Sequence, residues 1–255
     1  MQDIFAIAHR GFPTAAPENT PASFSRALDL SPEMLECDVR RTQDGRVVVI
    51  HDATVDRTTD GLGEVAHMTL DEVKRLDAGS WFAQEFAGER IPTLEEVLDL
   101  VCDRARLVVE IKEEGLEDRV VEIAREMGCA DRVLIASFHH HIGVRMPFLN
   151  EDIPFVPLVM LEGQADEVTA TRVADEAANV NGRMLGVNYR SITPALLRAT
   201  HAANLKLMAW TVDEEEAIRA MAETGVDAIA SNRLDLLIET LESVGARGRS
   251  ERRVA

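Results

Sequence analysis

The segment MLECDVR at residues 34–40 decides the fold of this chain, because it joins an apolar strand to two acidic side chains. Successive side chains of a β-strand point to opposite faces. Glu36 and Asp38 therefore share one face, and Cys37 and Val39 share the other. Ionisable groups are costly to bury without partners, so the segment predicts a buried strand whose inner face ends at a polar mouth.

Similar strands recur along the sequence and alternate with helical patterns. The eight predicted strands are Ile4–His9, Met34–Arg40, Leu107–Lys112, Val133–Phe138, Phe155–Met160, Leu185–Tyr189, Leu207–Val212 and Ala228–Ser231. The predicted helices are Thr20–Leu30, Leu94–Cys102, Leu116–Met127, Gln164–Ala178, Pro194–Ala203, Glu214–Glu223 and Leu234–Val244. Buried strands that alternate with helices indicate parallel βα units. Eight such units in 255 residues favour an α/β fold of the closed (β/α)8 type, a TIM barrel, over an open doubly wound sheet.

One segment interrupts this alternation after the second strand. A turn signal at Thr42–Gly45 precedes an extra strand over Arg46–His51, and Asp52–Pro92 then separates that strand from the next helix. An insertion on this side of a barrel falls on the face where active sites are built. We therefore expect a single domain over residues 1–255, with a small insertion at about residues 52–92.

Charge and cysteine content limit the possible partners. The chain has 27 Lys and Arg against 45 Asp and Glu, and its formal net charge of −18 repels nucleic-acid phosphates and anionic membranes. Its 3 cysteines show no disulfide or metal-binding spacing, and no apolar run approaches the ~20 residues of a membrane span. We expect a cytoplasmic protein with no nucleic-acid partner, no stable membrane association and an undefined oligomeric state. The basic residues near the end, interpreted as a solvated tail, are Arg247, Arg249, Arg252 and Arg253.

Further charged side chains lie at the ends of neighbouring predicted strands. His9 and Arg10 end the first strand, and His51 follows the extra strand. Glu110 and Lys112 share one face at the end of the third strand. The carboxyl ends of parallel strands meet at one mouth of a barrel, where neighbouring carboxylates repel one another unless a cation lies between them.

Glu36, Asp38 and Glu110 are therefore candidate ligands of a divalent metal. A hard cation that prefers oxygen, Mg2+ or Ca2+, fits better than zinc, because neither histidine lies beside the carboxylates at the usual ligand spacing. Ion pairing without a metal is the alternative. The two carboxylates of the second strand would then pair with Arg40 and Arg41, and the third with the lysine two residues later.

A metal, an arginine and a lysine together can hold a phosphate group and its developing charge. Arg10 and Lys112 are the candidate ligands of phosphate oxygens. His9 and His51 titrate near neutral pH and can act as acid and base, although His9 taken alone also fits a buried structural histidine. Trp210 ends the seventh strand, where it either packs against the alcohol part of a substrate or belongs to the core.

Short motifs extend this pattern along nearly the whole chain. In chain order they are His9-Arg10-Gly11, Pro17-Glu18-Asn19-Thr20, Ser23-Phe24, Glu36-x-Asp38-Val39, Thr42-x-Asp44-Gly45, Val48-Val49-x-His51-Asp52, Arg57-Thr58-Thr59, Gly79-x-Trp81-Phe82, Ile91-Pro92-Thr93-Leu94, Glu110-Ile111-Lys112, Ser137-Phe138, Trp210-Thr211-Val212 and Gly225-Val226-Asp227. The order and spacing of these motifs resemble the glycerophosphodiester phosphodiesterase family.

The resemblance implies a (β/α)8 barrel with a small insertion after its second strand. The implied site residues are the metal ligands Glu36, Asp38 and Glu110, the phosphate-binding Arg10 and Lys112, and the acid–base pair His9 and His51. The implied reaction hydrolyses a glycerophosphodiester to an alcohol and sn-glycerol 3-phosphate. Which histidine is the acid stays open, as does the choice between water and a substrate hydroxyl as the attacking group.

Two alternatives to this function are considered. Some members of the family act on lysophospholipids, so a lysophospholipase-D-type enzyme is the first, and the aromatic residues of the insertion offer it an apolar surface. A non-catalytic module that binds a phosphate-sugar is the second, and loss of a histidine or a metal ligand would favour it. All seven site residues are present, which favours the enzyme.

Two positions depart from the pattern of the family. Relatives often carry Asp-Arg-Pro after the last strand. This chain reads Ser231-Asn232-Arg233-Leu234 there. Relatives also often carry Asn after Trp-Thr-Val, where this chain has Asp213. We interpret both as rim positions that concern leaving-group specificity rather than the metal site.

Overall fold

Strands and helices alternate through residues 3–248, the part of the chain that the structure, a computed structural model, describes. The strands are β1 (Phe5–Ala8), β2 (Met34–Arg41), β3 (Val47–Val49), β4 (Arg106–Ile111), β5 (Val133–Ser137), β6 (Phe155–Val159), β7 (Met184–Asn188), β8 (Lys206–Trp210) and β9 (Ala228–Ser231). The α-helices are α1 (Pro21–Asp29), α2 (Leu70–Val73), α3 (Leu94–Val101), α4 (Glu117–Glu126), α5 (His141–Leu149), α6 (Glu167–Asn179), α7 (Pro194–Ala202), α8 (Glu215–Thr224) and α9 (Leu234–Ser243).

Eight of these strands close into a ring. β1 pairs with both β2 and β9, and the pairs from β2–β4 onward to β8–β9 complete the circle, all of them parallel. The predicted TIM barrel is therefore confirmed, together with its eight strands. β3 is the predicted extra strand, and it runs antiparallel to the last residues of β2, with Val39 opposite Val49.

The alternation predicted for β2 and β4 is also confirmed. Cys37 belongs to the apolar layer between strands and helices, whereas Glu36 and Asp38 point into the barrel. The register places Asp38 of β2 directly beside Glu110 of β4. Beneath this level the barrel is filled by side chains that include Ile7, Met34, Val108, Leu134, Val156, Met184 and Met208. The acidic residues therefore lie above a packed apolar floor, at the carboxyl ends of the strands.

Two helices are absent from the sequence prediction, the short α2 in the insertion and the longer α5. Gly143 and Pro147 lie inside α5, and both residues are unfavourable in helix interiors. Tertiary packing explains the glycine, because a Cβ at Gly143 would lie 2.2 Å from the carbonyl oxygen of Val180 and 2.3 Å from the ring of Phe155. Close contact between α5 and β6 therefore outweighs local propensity.

The insertion after β3 has an apolar cluster of its own. Its members are Val48, Ile50, Val55, Val65, Val73, Ala78 and Ile91. Trp81, Phe82 and Phe86 stack edge to face at ring-centroid distances of 5.8 and 5.5 Å. The guanidinium of Arg26 in α1 lies 5.0 Å from the centre of the Phe86 ring, so the insertion packs against the helix layer. That residues 1–255 form a single domain stays a prediction.

The interpretation of Arg247 as part of a solvated tail is wrong. Its side chain donates to the Ser31 carbonyl at 2.8 Å and pairs with Glu242 and, at 3.6 Å, with Glu33. The other residues assigned to that tail, Arg249, Arg252 and Arg253, lie outside the described residues.

Candidate active site

The loop after β1 makes a tight turn that α1 holds in place. Arg10 and Gly11 have φ values of 56° and 84°, in the left-handed region. A Cβ at Gly11 would lie 2.4 Å from Ser23 Oγ, so only glycine fits here. Ser23 Oγ accepts from the Phe12 amide at 2.7 Å and donates to the Arg10 carbonyl at 3.0 Å. The turn thereby directs the Arg10 amide to Glu36 Oε2 at 2.9 Å.

Three carboxylates converge at the mouth of the barrel. Glu36, Asp38 and Glu110 each offer an oxygen, and these oxygens lie within 4.8 Å of one another. Glu36 Oε1 is buried and accepts no hydrogen bond from any group in residues 3–248; Asp38 Oδ1 is also buried and accepts none, but it lies 3.3 Å from Lys112 Nζ. Buried carboxylate oxygens without a donor are costly, and Mg2+ and Ca2+ prefer a set of oxygen ligands. The donor set therefore fits the predicted divalent metal.

Two cations and one amide surround Asp38. Arg10 Nε lies 3.2 Å from Asp38 Oδ2, and Lys112 Nζ lies 3.3 Å from Asp38 Oδ1. Asn19 Nδ2 donates to Asp38 Oδ2 at 2.8 Å. Lys112 also donates to Glu110 Oε1 at 2.6 Å, which is the ion pair considered as an alternative to metal ligation.

The alternative pairing of the β2 carboxylates with Arg40 and Arg41 is absent from residues 3–248. Arg40 Nε donates to the carbonyl of His51 at 2.8 Å, and Arg41 pairs with Glu113 at 3.5 Å. Both arginines thus have other partners, and Glu36 is left with one backbone donor.

Burial and mutual repulsion set the protonation of the cluster. Burial raises the pKa of Glu36 well above its usual value, and the negative charges of Asp38 and Glu110 raise it further. Burial and Asp38 likewise raise the pKa of Glu110. Burial opposes ionisation of Asp38 as well, but Arg10 and Lys112 outweigh it and lower the pKa of Asp38. With all three carboxylates ionised, they sum with Arg10 and Lys112 to a charge of −1. A bound divalent cation would change this sum to +1, which is opposite in sign to the single negative charge of a phosphodiester.

A neutral amide holds His9 at the mouth. His9 Nδ1 lies 2.8 Å from Asn232 Oδ1, and Asn232 Nδ2 donates to Asp213 Oδ2 at 2.8 Å. Burial and the adjacent Arg10 lower the pKa of His9 to about 4, so the ring is neutral at pH 7. His9 Nε2 points the other way and lies 3.9 Å from Glu36 Oε2.

A carboxylate holds His51. His51 Nδ1 lies 2.6 Å from Asp52 Oδ1, and Asp52 Oδ2 accepts from Arg57 Nε at 2.7 Å. Arg57 also donates to both oxygens of Glu18 at 2.9 Å, and Glu18 accepts from Arg10 Nη1 at 3.0 Å. Burial and Arg10 lower the pKa of His51, and the hydrogen bond from Arg57 holds the pKa of Asp52 well below its usual range. One continuous network thus joins His51 to Arg10.

An apolar wall formed by Phe138, Leu158, Met208 and Trp210 faces these charged groups across the mouth. The rings of Phe138 and Trp210 meet edge to face at 5.7 Å, and Phe138 is 45% exposed. The cavity between the wall and the charged residues measures about 130 Å³. Trp210 was predicted either to contact the alcohol or to belong to the core; it lines the cavity and also packs against the apolar cluster inside the barrel.

The sequence of nearly the whole chain matches a known family. The profile of the Glycerophosphoryl diester phosphodiesterase family matches residues 9–236. The chain belongs to this family. It is similar to a glycerophosphodiester phosphodiesterase of Caldanaerobacter subterraneus subsp. tengcongensis, with 39% identity over 245 residues that cover 94% of this chain and 98% of the relative. A glycerophosphodiester phosphodiesterase of Bacillus altitudinis is 33% identical over 251 residues, which cover 96% of this chain and 100% of the relative.

Solved structures share the fold of this phosphodiesterase. A glycerophosphodiester phosphodiesterase from Agrobacterium tumefaciens superposes with a TM-score of 0.80 at 28% identity, over 94% of this chain and 100% of the other. A phosphodiesterase from Oleispira antarctica, solved with the product sn-glycerol-3-phosphate, gives a TM-score of 0.84 at 29% identity, over 93% and 96% of the two chains.

These comparisons confirm the predicted enzyme class, a phosphoric diester hydrolase of the glycerophosphodiester phosphodiesterase family. Among residues 3–248 of this phosphodiesterase, no helix combines the length and the apolarity needed to cross a bilayer.

Several residues that shape the site of the phosphodiesterase were given no role at the level of sequence. They are Glu18, Asn19, Asp52 and Arg57, all within the family motifs, so motif membership was the available signal. Asp213 and Asn232 were interpreted as rim positions that concern the leaving group. Asn232 contacts His9, Asp213 contacts Asn232, and neither lines the cavity.

Proposed function

We propose that this enzyme hydrolyses glycerophosphodiesters to an alcohol and sn-glycerol 3-phosphate, with one divalent cation and two catalytic histidines. The observation that carries the proposal is the convergence of three carboxylates, two cations and two imidazoles on one small cavity. The product bound to the Oleispira antarctica phosphodiesterase supports sn-glycerol 3-phosphate as the product here.

Glu36, Asp38 and Glu110 would hold the cation, which is Mg2+ or Ca2+ in this proposal. When bound, such a cation acts as a Lewis acid that offsets the charge developing on phosphoryl oxygens. Without it, burial and repulsion disfavour three ionised carboxylates at this spacing.

Arg10 and Lys112 bind the phosphate oxygens in this proposal. Both already lie at the cavity, and both pair with Asp38. Arg10 is fixed on its far side by Glu18, which presents the planar guanidinium in one orientation. A planar donor fork suits two oxygens of a tetrahedral phosphate, and the lysine adds a point charge.

His51 takes a proton from the attacking water or substrate hydroxyl. His9, after it takes up a proton from solvent at Nε2, gives that proton to the oxygen of the departing alcohol. Asp52 accepts from His51 Nδ1, which leaves Nε2 with its free electron pair for the incoming proton. A carboxylate on the far nitrogen stabilises the imidazolium that results. His9 has only an amide at the corresponding position, so it holds a proton less tightly and releases it more readily.

Trp210 and the rest of the apolar wall contact the alcohol part of the substrate in this proposal. The cavity of about 130 Å³ is smaller than the ~300 Å³ at which pockets for drug-sized ligands begin, so it suits a small headgroup. Among the residues that line it, none comes from the aromatic cluster of the insertion, Trp81, Phe82 and Phe86. That arrangement gives the lysophospholipase-D-type alternative no support from the insertion.

A panel of phosphodiesters tests the function. Purified enzyme is incubated with glycerophosphocholine, glycerophosphoethanolamine and a lysophospholipid in Mg2+, Ca2+ or excess EDTA, and free choline, ethanolamine and sn-glycerol 3-phosphate are measured. We expect release of sn-glycerol 3-phosphate that EDTA abolishes and that one of the two cations restores. Glu36→Gln should lose this activity, whereas Glu239→Gln, an exposed change on α9, should keep it.

Full turnover by metal-free enzyme in EDTA would contradict the metal-dependent mechanism. Turnover of the lysophospholipid alone would favour the alternative substrate class. Tight binding of sn-glycerol 3-phosphate without turnover of any diester would favour the non-catalytic alternative.

We further propose that the enzyme works in the cytoplasm on dissolved substrate. The three cysteines are all free and buried, which suits a reducing compartment. Fractionation of cells that express the tagged chain tests this, and recovery of the protein with membranes or outside the cell would contradict it.

A further inference from the structure

A three-residue chain of hydrogen bonds lies behind His9, on the side away from the cavity. It consists of Asp213 after β8, Asn232 after β9 and His9 after β1. Asp213 Oδ1 accepts from the Asn232 amide nitrogen at 2.8 Å and from Ser231 Oγ at 3.0 Å. Asp213 Oδ2 accepts from Asn232 Nδ2 at 2.8 Å.

The donors and acceptors of this chain can be matched in only one way. A carboxylate accepts and does not donate, so the Asn232 side chain must turn its NH2 group to Asp213 and its oxygen to His9. An amide oxygen accepts and does not donate, so His9 Nδ1 must carry the proton. His9 Nε2, which points toward Glu36 and the cavity, is left with the free electron pair.

We propose that Asp213 is a positioning residue that acts through Asn232 to hold His9 with its proton on Nδ1 and its electron pair on Nε2. This inference rests on the proposed catalytic role of His9. As acid or as base, His9 must gain and lose its proton at Nε2 while Nδ1 stays protonated. The arrangement serves either role, because the amide oxygen accepts from Nδ1 in both protonation states.

We expect the substitution Asp213→Asn to reverse the donor and acceptor roles of the Asn232 side chain and His9 Nδ1. The backbone amide of Asn232 needs an acceptor, so the side-chain amide introduced at position 213 keeps its oxygen at the former Oδ1 position. Its NH2 group then faces the NH2 group of Asn232, and two donors cannot bond. The Asn232 side chain must flip, which turns its own NH2 group toward His9 Nδ1. Nδ1 becomes the acceptor, and the proton of the neutral ring moves to Nε2.

The double substitution Asp213→Asn with Asn232→Asp restores a complete match. The amide at position 213 keeps its oxygen on the backbone donor and gives its NH2 group to the carboxylate at position 232. The other oxygen of that carboxylate accepts from His9 Nδ1, as the amide oxygen does now. The protonated nitrogen of His9 is again Nδ1.

Nitrogen NMR reads the His9 tautomer directly in full-length, Mg2+-loaded enzyme. Nitrogens with and without a proton resonate in separate regions of the 15N spectrum, and the His9 signal is assigned by its loss in His9→Ala. We expect protonated Nδ1 in the wild type, protonated Nε2 in Asp213→Asn and protonated Nδ1 again in the double variant. Asp235→Asn, which makes the same change of side chain in the first turn of α9, should keep the wild-type tautomer because Asp235 pairs with Arg233.

Activity should follow the tautomer. We expect Asp213→Asn to lower kcat by about 10²–10⁴-fold with little change in KM, the size of a lost proton-transfer group, and the double variant to recover to within about tenfold of the wild type. Thermal unfolding of each variant is measured in parallel, because loss by misfolding would lower the Tm and would not be rescued by the second substitution.

Two outcomes separate the inference from the proposed function on which it rests. Full activity of His9→Ala would remove the catalytic role of His9. Loss of activity in His9→Ala, together with an unchanged tautomer in Asp213→Asn or no rescue in the double variant, would overturn the positioning role of Asp213 and leave the proposed function intact.

Discussion

At the scale of single residues, His51 and His9 present the same ring nitrogen to the cavity but differ in what holds the other one. Asp52 accepts from His51 Nδ1 at 2.6 Å, and Asn232 takes the corresponding place behind His9 at 2.8 Å. A charged acceptor stabilises an imidazolium more than a neutral one does. The division of labour between the two histidines therefore follows from their partners.

The pH dependence of the reaction should report His51. Burial and Arg10 lower its pKa below the ordinary 6.5, so the neutral form persists at pH 7 and is lost only as the pH falls through the lowered value. We expect the acidic limb of kcat/KM against pH to lie below pH 6.5 and to disappear in His51→Ala. An acidic limb centred above pH 6.5 would contradict this environment for His51.

Leaving groups should distinguish the two histidines. Each proton transfer is worth about 10²–10⁴-fold, so His9→Ala and His51→Ala should each lose most activity on a glycerophosphodiester. The nitrophenolate of a nitrophenyl phosphodiester leaves without being protonated. Such a substrate should therefore restore activity to His9→Ala and leave His51→Ala inactive. Rescue of His51→Ala alone would reverse the assignment, and rescue of neither would leave the division of roles without support.

Arg10 should tolerate no cationic substitute. Its guanidinium contacts Asp38 and Glu18 at once through separate nitrogens. A lysine carries a single ammonium nitrogen and lacks this planar set of donors. We expect Arg10→Lys to lower kcat/KM by about 10²–10³-fold, the usual cost of a lost electrostatic donor. Arg172→Lys on α6, which pairs only with Glu176 in the described structure, is the matched control and should be neutral. Unchanged kcat/KM in Arg10→Lys would show that Arg10 does not contact the reacting phosphate.

Residue partners separate what the sequence can predict from what it cannot. Strand alternation alone puts Glu36 and Asp38 on the inner face of β2 and Cys37 on the outer face, and the structure agrees. The contact of Asn232 with His9 joins residues 223 positions apart, across the β1–β9 seam that closes the ring. No local pattern encodes such a contact, because it depends on which strands become neighbours.

At the scale of elements, the insertion contributes to the site through charge rather than through its aromatic cluster. Asp52 and Arg57, just after β3, tie His51 to Glu18 in the loop before α1. The apolar cluster beneath them anchors this loop to the barrel. The sequence indicated an insertion on the active-site face, but the hydrogen bonds of Arg57 become visible only when both loops are folded.

Arg57→Ala tests this connection. Loss of the guanidinium removes a positive charge near His51 and frees Asp52 to stabilise the imidazolium, so the pKa of His51 should rise. We expect the acidic limb of kcat/KM to move to higher pH and kcat to fall by roughly tenfold or more, as a misplaced group does. Arg75→Ala, an exposed change in the same insertion, should leave both unchanged. An identical pH profile in Arg57→Ala would mean that the network does not reach His51.

At the scale of the whole molecule, the insertion and the barrel are predicted to form one domain. β3 pairs with β2 of the barrel, so the apolar cluster of the insertion shares a strand with the main sheet. We expect a single cooperative transition in scanning calorimetry, with equal calorimetric and van't Hoff enthalpies. Val73→Ala in that cluster should lower the Tm of the whole transition by several degrees, at a cost of about 2 kcal/mol.

Leu62→Ala is the control for this measurement, because Leu62 is 79% exposed and its loss should leave the Tm unchanged. A second, earlier transition in Val73→Ala would show that residues 52–92 unfold on their own, and the single-domain prediction would be wrong.

The apolar wall comes from the carboxyl ends of β5, β6 and β8 and the residue after β5, whereas the charged groups lie on β2 and β4 or just after β1, β3 and β4. Substitutions on the wall can therefore change which alcohols are accepted without disturbing the groups that break the bond. During evolution, single substitutions in the apolar wall can therefore change the substrate selectivity of the enzyme while it stays active. Laboratory evolution should gain in the same way from libraries confined to the ends of those three strands, and we expect them to yield altered selectivity more often than inactive protein.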